Sequence, residues 1–258
     1  MTLCSKATAK FNLKNWYKKL KDIIADISRN GFAVIDNFFT EEEIENLLKA
    51  IAEADSSKST FRKTNDLFAI RQFFTEVPLA VEIVFSKKFN SIISEIFGEG
   101  FFVVKSIYFD KPEQSNWFVA YHKDLTISVD KKLNIDGFGP WTTKQNQYAV
   151  QPPLNILQDN FTVRIHLDNT NEENGALKVI PKSHLKGIYR PETIDWKLER
   201  ESICSVVKGG IMIMKPLLLH SSGRTTNKNK RRVIHIEFSR SVLPENLKWS
   251  EYLQHDCA

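Results

Sequence analysis

The stretch Arg231-Arg-Val-Ile-His-Ile-Glu-Phe238 alternates two kinds of side chain. Arg232, Ile234, Ile236 and Phe238 form one series, and Arg231, Val233 and His235 form the other. Successive residues of a strand point to opposite faces, so the first series suits packing beneath helices and the second faces a polar interior. A bulge would exchange the two arginines, and a surface ion pair is the ordinary role for either. The reading requires helices elsewhere in the chain to cover one face of a sheet.

The first hundred residues supply them. Leu13, Trp16, Tyr17, Leu20, Ile23, Ile24 and Ile27 recur at helical spacing, and Gly31 ends that helix before the short strand Phe32-Ala-Val-Ile-Asp36. Thr40 with Glu43 makes a capping box, followed by a stripe of Ile44, Leu47, Leu48 and Ile51. Further helices are expected at 78–85 and 89–97, closed by Gly98. From Phe101 the period changes, and 101–109, 117–122, 161–167, 203–207, 211–220 and 232–238 read as strands. Helices first and strands later predict an α+β fold, with the short strands in a two-sheet barrel or jelly roll and the helices packed on a sheet. Residues 125–160, containing Gly137-Phe-Gly-Pro-Trp141 and Gln151-Pro-Pro153, are expected as a long irregular insertion serving as a lid or binding loop. No repeat or linker divides the chain, so 1–258 is expected as one domain, with 1–100 mainly helical support and 101–240 the barrel core.

Composition narrows the class. Apolar residues make up 42% of 258, with 18 phenylalanines, enough to bury a substantial core and to exclude a disordered chain. The formal charge of +5 is scattered over Lys18-Lys19-Lys21, Lys87-Lys88 and Lys228 to Arg232. It is not gathered on one face as in a nucleic-acid protein, so the expected partner is a small molecule. Cys4, Cys204 and Cys257 are too few and too far apart for a disulfide framework or a structural zinc site. The amino-terminal stretch lacks a signal-peptide core and no apolar run approaches membrane-spanning length, so the cytoplasm is the expected compartment.

Candidate chemistry gathers at four positions, His122, Asp124, His220 and Arg231, with Ser222 beside them. His122 and Asp124, two apart in Tyr121-His-Lys-Asp-Leu125, share one side of a strand, and His220 ends the apolar run Pro216-Leu-Leu-Leu-His220. Two imidazoles and a carboxylate form the facial triad of non-haem Fe(II) oxygenases, leaving positions open for substrate and O2. A lone His-x-Asp is weak, since a hydrogen-bonded pair at a strand end has the same spacing. A histidine buried after an apolar run needs a partner, which is stronger. Eleven residues on, Arg231 offers a guanidinium fork and Ser222 a hydroxyl for the far carboxylate of a 2-oxo acid. A hairpin centred near Thr226-Asn227 would set Ser222 against Arg231 on the face of His220.

These residues resemble the phytanoyl-CoA dioxygenase family of Fe(II)/2-oxoglutarate oxygenases. The resemblance runs from Asn30-Gly-Phe-Ala-Val-Ile35 through Phe109-Asp-Lys-Pro112, Asn116-Trp117, Tyr121 to Thr126, Gln151-Pro-Pro153 and Arg164-Ile-His-Leu-Asp168. It continues in Asn174-Gly-Ala-Leu-Lys-Val-Ile-Pro-Lys-Ser-His184, the most specific signature, and in His220-Ser-Ser-Gly223 and Arg231-Arg-Val-Ile-His235. It implies a double-stranded β-helix braced by helices. It also implies His122, Asp124 and His220 as iron ligands, with Arg231 and Ser222 on the distal carboxylate of 2-oxoglutarate. Many members carry Gln where this chain has Lys123 and Gly where it has Ser221. Asp124 favours hydroxylation over chloride transfer, whose enzymes usually have a small residue there. The implied reaction hydroxylates a C–H bond of a metabolite and converts 2-oxoglutarate and O2 to succinate and CO2. Acyl-CoA thioesters, amino acids and natural-product intermediates are all compatible substrates.

Lys105 and Asn116 are candidates for the near end of the cosubstrate. Trp141, Gln151, His166 and Arg71 are candidates for substrate, each with a structural alternative: an aromatic anchor of the insertion, a satisfied core histidine, a helix cap. His184 is expected to be structural, bonded to a neighbouring strand, and His235 structural beside Arg231. A zinc hydrolase would use the same triad but leave Arg231 without a purpose. A non-catalytic ligand-binding protein would keep the barrel alone.

Overall fold

The computed structural model describes residues 13–144, 147–244 and 246–254. Helix α1 (Leu13–Asn30) stops at Gly31, whose φ is +88°. A β-carbon there would stand 2.5 Å from His184 Nδ1 and 2.9 Å from Leu218 Cδ1, so only glycine fits the turn into β1 (Phe32–Ile35). Helix α2 (Glu41–Ala52) carries the capping box: Thr40 Oγ1 accepts from the Glu43 amide at 3.2 Å, and the Thr40 amide donates to Glu43 Oε2 at 2.7 Å. Ile44 and Leu47 on its inner face are fully buried, with Leu48 and Ile51 partly so. Strands β2 (Phe61–Lys63) and β3 (Phe68–Arg71) and helix α3 (Phe73–Glu76) follow. They were not expected, because three or four residues span too little of any period to register. Helices α4 (Leu79–Val84) and α5 (Lys87–Phe97) agree with expectation, and Gly98 ends the latter.

The second half is built from β4 (Phe102–Lys111), β5 (Val119–His122), β6 (Ile127–Val129), β7 (Trp141–Lys144), β8 (Gln147–Val150), α6 (Leu154–Gln158), β9 (Phe161–His166), β10 (Leu177–Val179), β11 (Ser202–Cys204), β12 (Ile211–Met214), β13 (His220–Ser222) and β14 (Arg231–Ser239). A seven-stranded antiparallel sheet has the order β1-β12-β9-β14-β4-β3-β2, and a four-stranded sheet runs β11-β10-β13-β5. Ile234, Ile236 and Phe238 of β14 enter the helix-backed core with Ile44, Leu47, Phe73 and Phe89. The register shift of β14 falls between Glu237 and Phe238, past the arginines, so Arg231 keeps the inner face. Met212 and Met214 of β12 meet Leu177, Val179 and Cys204 of the small sheet, which joins the two sheets face to face.

Three expectations are corrected. The apolar run 211–220 is two strands, β12 in the large sheet and β13 in the small one. Pro216 has no N–H to continue the ladder, and a turn closed by the Leu218 amide on Lys215 O at 3.0 Å carries the chain across. No hairpin joins β13 to β14, since they lie in different sheets and the connection spans between them. The segment 125–160 is not irregular: β6, β8 and β7 form a third antiparallel sheet, followed by α6. Its Ile127, Val129, Val150, Ile156 and Leu157 pack with Leu217, Leu247 and Trp249 in an apolar cluster of their own.

Candidate metal centre

His122 and His220 are directly opposed residues of β5 and β13, which brings their ring centroids to 4.2 Å. Each ring is fixed by the carbonyl two residues before it: His122 Nδ1 lies 2.8 Å from Ala120 O and His220 Nδ1 2.9 Å from Leu218 O. A neutral imidazole that donates from Nδ1 keeps its lone pair on Nε2, the atom turned toward Asp124. The Asp124 amide donates to Pro216 O at 3.0 Å and holds the residue just past the strand end. Its Oδ1 is 3.7 Å from His122 Nε2 and its Oδ2 3.9 Å from His220 Nε2. One ligand atom from each residue lies within 4.8 Å of the other two, the spread of a group able to hold one metal ion.

The protonation states suit a cation. Burial raises the Asp124 pKa, but the neighbouring His220, His235, Lys105 and His122 outweigh it and hold the carboxyl below its ordinary value. Burial lowers His220 to about 4, against the pull of Asp124. At neutral pH the carboxylate is therefore ionised and this imidazole uncharged. Asp124 Oδ2 is buried without a hydrogen-bond partner, a costly state for a carboxylate oxygen that a bound cation relieves. The residues present fit a metal.

The triad opens into a cavity of about 160 Å³ whose floor belongs to the large sheet. Arg231 is 2% exposed, its Nη1 donates to Gly175 O, and its Nε has no partner. Ser222 Oγ donates to the same carbonyl at 3.0 Å, so the two meet through Gly175 although no hairpin joins them. Burial, with Arg164 nearby, brings the Arg231 pKa to about 9. Among the described residues no carboxylate lies within ion-pair distance of either arginine. Sequence reasoning missed a network beside them. Lys105 Nζ donates to Glu237 Oε1 at 2.7 Å, His235 Nε2 lies 3.1 Å from that oxygen, and Arg164 Nη1 lies 3.0 Å from His235 Nδ1. A guanidinium only donates, so His235 accepts on Nδ1 and carries its proton on Nε2. Inner-face alternation on β9 and β14 was the available signal for Arg164 and Glu237.

The remaining candidates separate. Lys105 lines the cavity, tied to Glu237, whereas Asn116 is exposed, with its amide on Asp66 Oδ1 at 2.8 Å, and does not line it. Arg71 lines a second cavity of about 260 Å³, which shares Lys105 and Ile107 with the first. Trp141 packs on the apolar cluster of the third sheet, and Gln151 exchanges backbone hydrogen bonds with Gly139 and Pro140; neither lines the two cavities. His166 bonds Thr170 Oγ1 at 2.8 Å from a buried position, and its Nε2 has no partner. His235 lines the cavity. His184 bonds the Ser28 carbonyl of α1 at 3.1 Å, a helix end and not the expected strand.

Residues 27–233 match the model of the phytanoyl-CoA dioxygenase (PhyH) family. The chain belongs to that family. The phytanoyl-CoA dioxygenase domain-containing protein 1 homolog of Caenorhabditis elegans is 23% identical over 89% of this chain and 93% of its own length. Solved structures similar in fold include the non-haem alpha-ketoglutarate-dependent epimerase SnoN from nogalamycin biosynthesis, with a TM-score of 0.65 and 14% identity over 86% of this chain and 84% of that one. Another is EctD from S. alaskensis with 2-oxoglutarate and 5-hydroxyectoine, at a TM-score of 0.64 and 16% identity over 91% and 78%. Membership and triad together make this family member an iron- and 2-oxoglutarate-dependent oxygenase in broad class. No helix among the described residues is long and apolar enough to cross a membrane.

Proposed function

We propose that this dioxygenase-family protein hydroxylates a C–H bond of a small, polar metabolite and releases succinate and CO2. The observation that carries the reading is one cavity holding both halves of the required site. At one end two imidazole nitrogens face an unpartnered carboxylate oxygen; at the other a buried guanidinium lacks an anion. Iron, 2-oxoglutarate and O2, when bound, supply the oxidising chemistry.

The chain's own part is placement. His122, Asp124 and His220 hold the ion on one face, with Ala120 O and Leu218 O fixing the ring tautomers. Arg231 and Ser222 receive the distal carboxylate, whose two oxygens suit the guanidinium fork and hydroxyl. The Lys105–Glu237–His235–Arg164 network keeps the floor of the cavity polar and in register. The two sheets serve as the double-stranded β-helix of a single domain, and the third sheet supplies a wall of the second cavity. The second cavity is the substrate's place: Arg71, Ser106, Ser128, Thr142, Gln147 and Glu251 give it hydrogen-bonding walls, which favours a hydrophilic substrate over an acyl chain.

The test is anaerobic reconstitution with Fe(II), calorimetry with 2-oxoglutarate, then O2 with a panel of polar metabolites. Substrate-dependent succinate and a product heavier by one oxygen are expected. Tight zinc with no affinity for 2-oxoglutarate would turn the assignment to a hydrolase, and a product of unchanged oxygen count would turn it to an epimerase or cyclase.

A further inference from the structure

Lys111 is the last residue of β4 and the Cα partner of Arg231, so both side chains leave the ladder on the same inner face. It is wholly buried. A β-carbon on Gly175, whose φ is +83°, would stand 2.8 Å from Lys111 Nζ and 3.4 Å from Ser222 Oγ. The Gly175 carbonyl already takes Arg231 Nη1 and Ser222 Oγ. Ammonium, guanidinium and hydroxyl thus converge on one glycine. The ammonium donates to Gly223 O and lies 5.6 Å from the centre of the Trp117 ring; among the described residues no carboxylate comes within ion-pair distance.

Tethering a carbonyl needs a donor, not a full charge buried next to a second cation. Two enclosed cations without an anion are unfavourable through desolvation and mutual repulsion, and an incoming dianion relieves both. We propose that Lys111 is a second cation for the distal carboxylate of the keto-diacid, and that the pair Lys111–Arg231 makes the inner end of the cavity select dicarboxylates. The inference rests on the 2-oxoglutarate reading above. The charged groups acting on Lys111 are Arg231 from β14, Arg224 after β13 and Asp66 before β3. Burial first, then the two arginines, lower its pKa to about 7, with Asp66 opposing. The Lys111 amine is therefore partly neutral near pH 7, and it takes up a proton as the dicarboxylate docks.

The experiment is anaerobic calorimetry on the Fe(II)-loaded full chain with 2-oxoglutarate and with 2-oxobutanoate, which has the keto acid head but no distal carboxylate. Lys111→Met is expected to weaken 2-oxoglutarate by about tenfold or more and to leave 2-oxobutanoate unchanged. Lys111→Arg is expected to keep the preference. In the parent, the enthalpy of 2-oxoglutarate binding above pH 7 should vary with the ionisation enthalpy of the buffer, and in Lys111→Met it should not. Equal weakening of both acids, or an unchanged ratio of their affinities, overturns the proposal and leaves the lysine a tether. If Lys111→Met does not fold, the parent decides: its ratio should fall as pH rises above 7, and a flat ratio overturns the proposal. A parent that binds metal but no 2-oxoglutarate defeats the functional reading itself, a different result from either.

Discussion

The large and small sheets meet at one cavity yet hold their functional groups in different ways. The seven-stranded sheet is backed by helices and a deep aromatic core, and from it come Arg231, Arg164, Lys105, Glu237 and His235. The four-stranded sheet has strands of three or four residues, and from it come His122, His220 and Ser222. Where packing is deep, the chain buries charge. Where it is shallow, the two imidazoles are aimed by the carbonyls of Ala120 and Leu218, two residues before each ring, and a bound ion is expected to complete their order. The small sheet should therefore depend on metal for its order and the large sheet should not.

The largest effect expected is at the small sheet: His220→Ala should reduce bound iron to background and succinate formation by about a thousandfold. Metal analysis and turnover check it, and retained iron would break the contrast. Next, Arg231→Met should weaken 2-oxoglutarate by about a hundredfold while iron content stays at the parent level. Loss of iron in that variant would mean that the two ends are not separable. Core damage should sort in the same manner. Leu47→Ala, under the large sheet, should lower stability by about 2–5 kcal/mol in a denaturant titration without changing iron affinity in the folded protein.

Acid should act on the small sheet first. His220 is uncharged in the fold, its pKa lowered from 6.5 to about 4 by burial. The unfolded chain binds the extra proton below 6.5, so its stabilising contribution is complete above that value and is lost as pH falls toward 4. A melting temperature of metal-free protein that falls over this window, and less in His220→Gln, is the expected signature. Smallest is Thr40→Ala, far from the cavity, which should cost about 1 kcal/mol and leave turnover unchanged.

Local chemistry was legible and long-range connection was not. The Thr40–Glu43 cap, the Gly31 stop and the alternation of β14 each state their geometry within a few residues. The triad was legible because His122 and Asp124 share a strand end and His220 closes an apolar run. The break at Lys215-Pro216 was hidden because apolar residues continue on both sides of it: Met212 and Met214 before it and Leu218 after it share the inter-sheet cluster, while Leu217 packs with the third sheet. The proposed hairpin failed for the same reason: eleven residues suffice for a local turn or for a crossing between sheets, and only the sheet order decides. Lys111 and Glu237 sat in plain alternation, but a buried charge gains meaning only beside the opposing strand.

The crossing at Pro216 also fixes a length. Leu217, Leu218 and Leu219 are the whole of the span between the proline and the histidine of the proposed metal site, and His220 is paired directly with His122 on β5. Adding or removing one residue there would turn His220 outward and bring a neighbour in, even with every ligand still spelled out in the chain. Among descendants of this sequence, that count should be as closely kept as the ligands themselves.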